Sequence, residues 1–341
     1  MKITPLKHPK PHKNSSFAMP DRKFPRRRFL TLLTTFLSSY LLLGSSVRAN
    51  EKPRSAHEPS GRSDEGKPRV GIALGSGGAN GLAHILMLEA LDELSIRPYR
   101  IAGSSIGAII GALYAAGMTG REIRELVEQF IIAPEERLAH ELLNEDALRW
   151  VEFLEIDLGN GGLLSGEGFI SFLYDTLERE TFEELEIPLR IATADLWSRE
   201  QIVLQTGALL PAVKASMALP GVFKPVILDN RVLIDGGTVN PVPYDLLTED
   251  CDLVIGIDVI GERTKPKALM PSYFETIFNA PKVMQHAIMS EKRRHKKPAI
   301  YLAPRIVDVR ALEFYRANEI FAQARPAKEE LKHRLSKLLK V

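Results

Sequence analysis

RVGIALGSGGANGLAHILMLEALDELSIRPYRIAGSSIGAIIGALYAAGM, residues 69–118, contains two short apolar runs, each followed by a glycine-containing turn and a helix-like segment. The runs RVGIAL (69–74) and YRIAG (99–103) have the length and composition of β-strands. Two strands that are separated and followed by helices are typical of a parallel sheet covered by helices. By residue 107 the chain is therefore predicted to adopt an α/β fold.

The same alternation continues towards the C-terminus. Thr119 and Glu122 predict a capping box at the start of a further helix, and residues 121–186 have the pattern of amphipathic helices and loops. The helical segment AVKASMAL (212–219) falls between later strands. The segments predicted as strands are LRIATADL (189–196), QIVLQ (201–205), VILDNRVLIDGG (226–237) and DLVIGIDVI (252–260). We expect three layers, α/β/α, with a mostly parallel central sheet.

The first 49 residues have the pattern of a secretory signal peptide. They contain ten Lys or Arg residues and one acidic residue, and RRRF (26–29) resembles a twin-arginine signal ahead of an apolar run. Cleavage after VRA (47–49) and retention as an uncleaved anchor are both open. We expect the domain to be exported, either free in the periplasm or tethered to the outer face of the inner membrane.

The rest of the chain is predicted to divide into three parts. Residues 50–68 are rich in Pro, Gly, Ser and charge, which predicts a disordered linker. Residues 69–305 form the globular domain, and residues 306–341 have the amphipathic pattern of a C-terminal helical extension packed on it.

Charge and cysteine content exclude some classes of protein. Beyond residue 49 the chain has 35 basic and 42 acidic residues, and this acidic balance argues against a nucleic-acid-binding protein. Cys251 is the single cysteine, so an intramolecular disulfide is excluded. We interpret Cys251 as a small apolar residue at the start of a strand.

The motif GSSIG (103–107) follows a predicted strand and opens a predicted helix. In this setting a G-x-S-x-G motif forms a nucleophile elbow, in which Gly103 and Gly107 let the strand and the helix approach on either side of Ser105. The helix N-terminus also favours negative charge that develops nearby. A plain glycine turn is the alternative.

The glycine loop GSGGANG (75–81) follows the first strand and has two interpretations. A dinucleotide site needs an acidic residue at the end of the second strand, but that strand runs into the serine turn. No Lys-Ser/Thr pair closes the loop as in a phosphate-binding P-loop. An oxyanion hole, formed by free amides at a helix start, is the interpretation we prefer.

A serine nucleophile needs a base. His84, His140, His286, His295 and His333 lie in helical patterns or in a charged run, and none follows a strand in a glycine turn. Asp235 does, in LIDGG (233–237), where Gly236 and Gly237 allow another group to approach the carboxylate. A Ser105–Asp235 dyad is therefore the hypothesis, with a simple Asp-Gly turn as the alternative.

The ordered trio GSGGANG, GSSIG and DGG resembles the patatin-like phospholipases, in particular the bacterial branch related to the neuropathy-target-esterase domain. The resemblance covers residues 69–305 and includes VKASMALPGVFKPV (213–226) and DGGTVNPVP (235–243). It implies a patatin-like three-layer fold and a serine lipid acyl hydrolase. Its site would consist of nucleophile Ser105, base Asp235 and an oxyanion hole around Gly77 and Gly78, without a metal or organic cofactor.

Two positions of the glycine loop depart from the family pattern. Asn80 stands where the glycine loop usually carries Arg or Lys, and Ser76 stands where it often carries Gly. The loss of a positive charge near the substrate bears on headgroup preference, and it motivates the alternative of a catalytically inactive scaffold that binds lipid or a partner protein. The hydrolase hypothesis implies a phospholipid or lysophospholipid substrate and contact with a membrane surface. It implies neither a nucleic acid nor a nucleotide as a partner.

Overall fold

The computed structural model describes residues 68–131, 173, 176–264, 270 and 273–340. Three subjects of the predictions lie outside the described residues: the signal peptide, the linker apart from Pro68, and His140. Most of the predicted helical region between residues 132 and 175 lies outside them as well.

An eight-stranded mixed sheet forms the centre of the domain. Its strands are β1 Val70–Leu74, β2 Arg100–Ser104, β3 Leu189–Asp195, β4 Gln201–Leu204, β5 Val226–Leu228, β6 Arg231–Asp235, β7 Leu253–Ile257 and β8 Ile300–Leu302. The order is β5-β6-β3-β2-β1-β7-β8, and β4 also pairs with β3. The pairs β3–β2, β2–β1, β1–β7 and β7–β8 are parallel, whereas β3–β4, β3–β6 and β5–β6 are antiparallel. The predicted α/β fold with a mostly parallel sheet is confirmed.

Helices cover both faces of this sheet. They are α1 Ala83–Glu93, α2 Ile106–Ala115, α3 Gly120–Ile131, α4 Leu209–Ser216, α5 Tyr273–His295 and α6 Ala317–Leu339. Alternate residues of β1 face opposite layers: Ile72 and Leu74 join the core cluster that contains α1, α2 and α6, whereas Ala73 joins a second cluster with Met289 of α5. Because successive strand residues point to opposite faces, this alternation defines the three layers.

Local interactions define several boundaries. At the start of α3 the Thr119 amide donates to Glu122 Oε2 at 2.8 Å and the Glu122 amide donates to Thr119 Oγ1 at 3.2 Å, which confirms the predicted capping box. Asp229 and Asn230 join β5 to β6 with φ values of 48° and 59°. Two consecutive left-handed residues form the tight turn that suits an antiparallel hairpin.

The C-terminal helix α6 lies against α1. Leu331 and Leu335 are fully buried in the main core, and Lys328 Nζ contacts Glu89 at 2.6 Å and Glu93 at 2.7 Å. Cys251 is buried just before β7, and burial raises the pKa of its thiol to about 11. Among the helices that the structure describes, none is both long enough and apolar enough to cross a membrane.

Candidate active site

Ser105 lies in a strained turn between β2 and α2. Its φ of 55° and ψ of −125° place a non-glycine residue in a sparsely populated backbone conformation. A Cβ atom at Gly107 would lie 2.0 Å from the Leu74 carbonyl oxygen, and one at Gly103 would lie 2.6 Å from Ala108 Cα. Both flanking glycines are therefore required by the close approach of strand and helix, as in a nucleophile elbow.

Asp235 lies at the end of β6, next to this elbow. β3 pairs with β2 through Ala192 opposite Ser104 and with β6 through Thr193 opposite Asp235, so the ends of β2 and β6 lie close together. Ser105 Oγ donates a hydrogen bond to Asp235 Oδ2 at 2.6 Å. The structure thus brings together the two side chains that the sequence singled out as a dyad.

The Asp235 carboxylate is held in a buried position by its own turn. Asp235 Oδ1 accepts a hydrogen bond from the Gly237 amide at 2.6 Å. A Cβ at Gly236 would lie 2.0 Å from the Ala192 carbonyl oxygen, so the turn packs directly on β3. Burial raises the pKa of Asp235 to about 6, although the hydrogen bonds from Ser105 and Gly237 act in the opposite direction. Desolvation therefore gives this carboxylate more basicity than an ordinary aspartate has.

The glycine loop presents free amides to the same cavity. The amides of Gly75, Ser76 and Ala79 donate to backbone carbonyls at 2.7–3.0 Å, whereas those of Gly77 and Gly78 have no hydrogen-bond partner within the described part of the chain. Gly78 has φ of 62° and starts a 3-10 helix. Gly77 and Gly78 line the cavity that contains Ser105 and Asp235, an arrangement suited to binding an oxyanion.

The cavity behind the dyad is apolar and has a volume of about 170 Å³. That is comparable to the roughly 150 Å³ engineered cavity that accommodates benzene. Most of its walls are aliphatic or aromatic side chains, many of them from α2, α3 and the loops after α4 and β8. These side chains are Leu82, Ile106, Ile109, Ile110, Leu113, Ile123, Leu126, Val127, Leu173, Met217, Leu219, Phe223, Pro281, Leu312 and Phe314. Such walls suit a hydrocarbon chain.

Ser216 is a supporting residue to which sequence analysis assigned no role. Its hydroxyl accepts a hydrogen bond from the Ser105 amide at 2.9 Å and donates one to the Ala192 carbonyl at 2.7 Å. Ser216 is fully buried at the end of α4, within the VKASMALPG segment. Ser216 thus links the elbow to β3. In the sequence, its place in the VKASMALPG segment is its one distinguishing feature.

The two departures in the glycine loop have different surroundings. Asn80 is buried away from the cavity lining, and its Nδ2 donates to the Ile260 carbonyl at 3.1 Å. Ser76 lines the cavity, and its hydroxyl is buried with no hydrogen-bond partner among the described residues. Asn80 therefore anchors the loop through its Nδ2, whereas the Ser76 hydroxyl is a buried polar group in the cavity wall, unpartnered among the described residues.

The described histidines lie outside the dyad. His84 is fully buried, its Nε2 lies 2.8 Å from the Gly75 carbonyl, and burial lowers its pKa to about 4, so it is a neutral donor behind the glycine loop. His286 and His333 are exposed, and His295 pairs with Glu291. None of these four lines the cavity. Within the described ranges, no group of three His, Cys, Asp or Glu side chains is placed to hold a metal ion.

Comparisons with known proteins identify a matching family model, sequence relatives and structural neighbours. A family model described as patatin-like phospholipase matches residues 72–248. An uncharacterized NTE family protein of Mycobacterium tuberculosis is 34% identical over 200 residues, which are 58% of this chain and 51% of that protein. The neuropathy target esterase sws of Drosophila melanogaster is 31% identical over 193 residues, which are 56% of this chain and 13% of that protein.

The chain spans about half the length of the mycobacterial relative and a much smaller share of the insect protein. Among solved structures, VipD from Legionella pneumophila aligns with a TM-score of 0.45 and 14% identity, over 78% of this chain and 67% of that one. The type III effector ExoU aligns with a TM-score of 0.37 and 18% identity, over 79% of this chain and 53% of that one.

Proposed function

Because the chain belongs to the patatin-like phospholipase family, we propose that it is a serine hydrolase of fatty acyl esters in phospholipids or lysophospholipids. The observation that carries this proposal is the 2.6 Å hydrogen bond from Ser105 Oγ to Asp235 Oδ2 in the lining of an apolar cavity. Nucleophile, base and hydrocarbon-sized space then lie in one site.

In the first half of the reaction, Ser105 Oγ attacks the carbonyl carbon of the ester while its proton passes to Asp235 Oδ2. The electron pair of the C=O bond moves to the oxygen, and the amides of Gly77 and Gly78 stabilise that negative charge. When the tetrahedral intermediate collapses, the C–O bond to the alcohol breaks and Asp235 returns the proton to the leaving oxygen. An acyl-enzyme on Ser105 remains.

In the second half, water attacks the acyl-enzyme and passes a proton to Asp235. Collapse releases the fatty acid, and the same proton returns to Ser105 Oγ. Asp235 thus acts as base and acid in turn, which is easier for a carboxyl group whose pKa lies near 6 than for one at 3.8.

Ester hydrolysis by matched variants tests the proposal. Purified wild type, Ser105→Ala and Asp235→Asn are assayed with lysophosphatidylcholine and a short p-nitrophenyl ester. We expect wild type to hydrolyse both and the two variants to lose activity by about three orders of magnitude or more. Ser104→Ala, which removes the neighbouring hydroxyl but lies outside the cavity lining, is the control and keeps its activity.

A catalytically inactive scaffold is the competing function. It is distinguished by a wild type that binds lysophosphatidylcholine but hydrolyses neither ester, with circular dichroism showing a folded protein. That result would overturn the proposed hydrolase.

We also propose that the protein meets its substrate at a membrane surface. Val283 and Met284 are 70% and 63% exposed on α5, next to the cavity-lining residues Pro281 and Lys282. Exposed apolar side chains beside an apolar cavity favour contact with a bilayer. In Val283→Ser/Met284→Ser protein we expect weaker sedimentation with phospholipid vesicles and unchanged hydrolysis of a soluble ester. Equal vesicle binding by both proteins would contradict this contact.

A further inference from the structure

The cavity has one cationic side chain among its described lining residues, and that side chain is Lys282. Lys282 lies on α5, three residues before Gln285, which also lines the cavity. Residues three apart share a face of a helix, so α5 presents an ammonium group and an amide to the same space.

Lys282 has no carboxylate within ion-pair distance among the described residues, although Glu313 is close enough to influence it. Glu313 already has partners, since Arg316 Nη1 lies 2.8 Å and Arg310 Nε 3.8 Å from its oxygens. Burial lowers the pKa of Lys282, and the like charge of Arg263 acts in the same direction. A partly desolvated ammonium without a close counter-ion is unfavourable, and an anionic ligand would relieve that cost.

Polar groups extend this positive site towards the dyad. Ser76 Oγ is buried without a partner among the described residues. A Cβ on Gly237 would lie 2.5 Å from Ser76 Oγ and 2.7 Å from Gln285 Nε2, so both groups flank that glycine. The amide of Gly237 in turn donates to Asp235. These hydrogen-bonding groups are therefore neighbours of the site where the ester reacts.

We propose that Lys282, assisted by Gln285 and Ser76, binds the phosphodiester of the lipid headgroup while the acyl ester lies at Ser105. In a glycerophospholipid only the glycerol carbons separate the phosphate from the ester, and Lys282 and Ser105 line the same cavity. Lys282 then selects phospholipids over neutral acylglycerols. This inference rests on the proposed hydrolase function, and it adds a residue on α5 that determines specificity.

The test compares two substrates that differ by the phosphodiester. Lysophosphatidylglycerol and monoacylglycerol with the same acyl chain are hydrolysed by wild type and by Lys282→Met, below their critical micelle concentrations. We expect kcat/KM for lysophosphatidylglycerol to fall on the order of ten- to a hundredfold, as for the loss of a hydrogen bond to a charged group. The value for monoacylglycerol stays within about twofold.

Two further variants serve as controls. Lys282→Arg keeps the charge and retains most of the preference for phospholipid. Lys297→Met removes an exposed charge outside the cavity lining, and we expect it to leave kcat/KM unchanged for both substrates. Equal losses on both substrates in Lys282→Met, or none on either, would overturn the assignment.

Binding to Ser105→Ala protein separates this inference from the hydrolase proposal, because it needs no turnover. Calorimetry measures the binding of lysophosphatidylglycerol, monoacylglycerol and free fatty acid to Ser105→Ala and to the double variant Ser105→Ala/Lys282→Met. Weaker binding of lysophosphatidylglycerol alone supports the headgroup site even if wild type hydrolyses nothing. If only fatty acid binding weakens, Lys282 serves the carboxylate of the product and the headgroup assignment is wrong.

Discussion

Replacing Asp235 with asparagine is expected to abolish hydrolysis and, at neutral pH, to make the folded protein more stable. Burial raises the pKa of the folded-state carboxyl from 3.8 to about 6. The folded protein therefore binds this proton more tightly than the unfolded chain does, and it loses stability as the pH rises from 3.8 to about 6. Each pKa unit corresponds to about 1.4 kcal/mol, so ionised Asp235 costs the folded state about 3 kcal/mol at pH 7.

Asparagine removes the charge and keeps the shape. Its Oδ1 can accept from the Gly237 amide, and its Nδ2 can donate to Ser105 Oγ, which replaces the two hydrogen bonds of the carboxylate. We expect the free energy of unfolding of Asp235→Asn to exceed that of wild type by about 2–3 kcal/mol at pH 7. The difference falls below about 1 kcal/mol at pH 4, where wild-type Asp235 is protonated in the folded state.

Urea unfolding followed by circular dichroism at pH 7 and pH 4 measures both differences. Asp195→Asn is the control, and its change in unfolding free energy at pH 7 is expected to have the opposite sign. The reason is that hydrogen bonds from the Trp197 amide and Arg231 lower the pKa of Asp195. That variant loses stability at pH 7. The reasoning is refuted if Asp235→Asn is no more stable than wild type at pH 7, or if its advantage is the same at both pH values.

Three more predictions concern the elbow and its base. For a soluble ester, kcat/KM falls about tenfold per pH unit below the Asp235 pKa of about 6; a rate that is flat down to pH 4 would argue against a carboxylate base. Ser216→Ala leaves the Ser105 amide without its acceptor. We expect the unfolding free energy to fall by about 1–3 kcal/mol and kcat to decrease. Unchanged values would show that Ser216 does not stabilise the elbow against β3. Gly107→Ala places a Cβ 2.0 Å from the Leu74 carbonyl oxygen, and the clash costs about 3 kcal/mol or more. Gly207→Ala, which has open space but a φ of 78°, costs only about 1–2 kcal/mol in the same unfolding assay, and equal losses in the two variants would exclude the clash.

The central architecture could be predicted from sequence because its signals are local. β1, β2 and their helices follow one another along residues 69–118, and each apolar run ends in a glycine turn that marks its boundary. β8 was not predicted, because Ile300–Leu302 is only three residues long and is recognisable as a strand mainly through its pairing with β7. Short strands of this kind depend on tertiary pairing rather than on their own pattern.

The site shows the same division between local and tertiary information. Ser105 and Asp235 could be singled out because each lies between a strand and a glycine turn, a pattern visible in a few residues. The contributions of Ser216 and Lys282 depend on which helix faces which strand, and a serine or a lysine in a helix carries no local sign of this. The raised pKa of Asp235 likewise comes from burial, which only the folded chain provides.

The most direct measurement is the covalent labelling of the wild-type protein by a fluorophosphonate, with the modified residue identified by mass spectrometry of peptides. An activated serine in an oxyanion hole reacts with this probe, so we expect near-stoichiometric modification of Ser105 and none in Ser105→Ala. Asp235→Asn, which lacks the base, should react at least about a hundredfold more slowly. A folded wild-type protein that resists the probe, or that is modified at another serine, would contradict the assignment of Ser105 as the nucleophile.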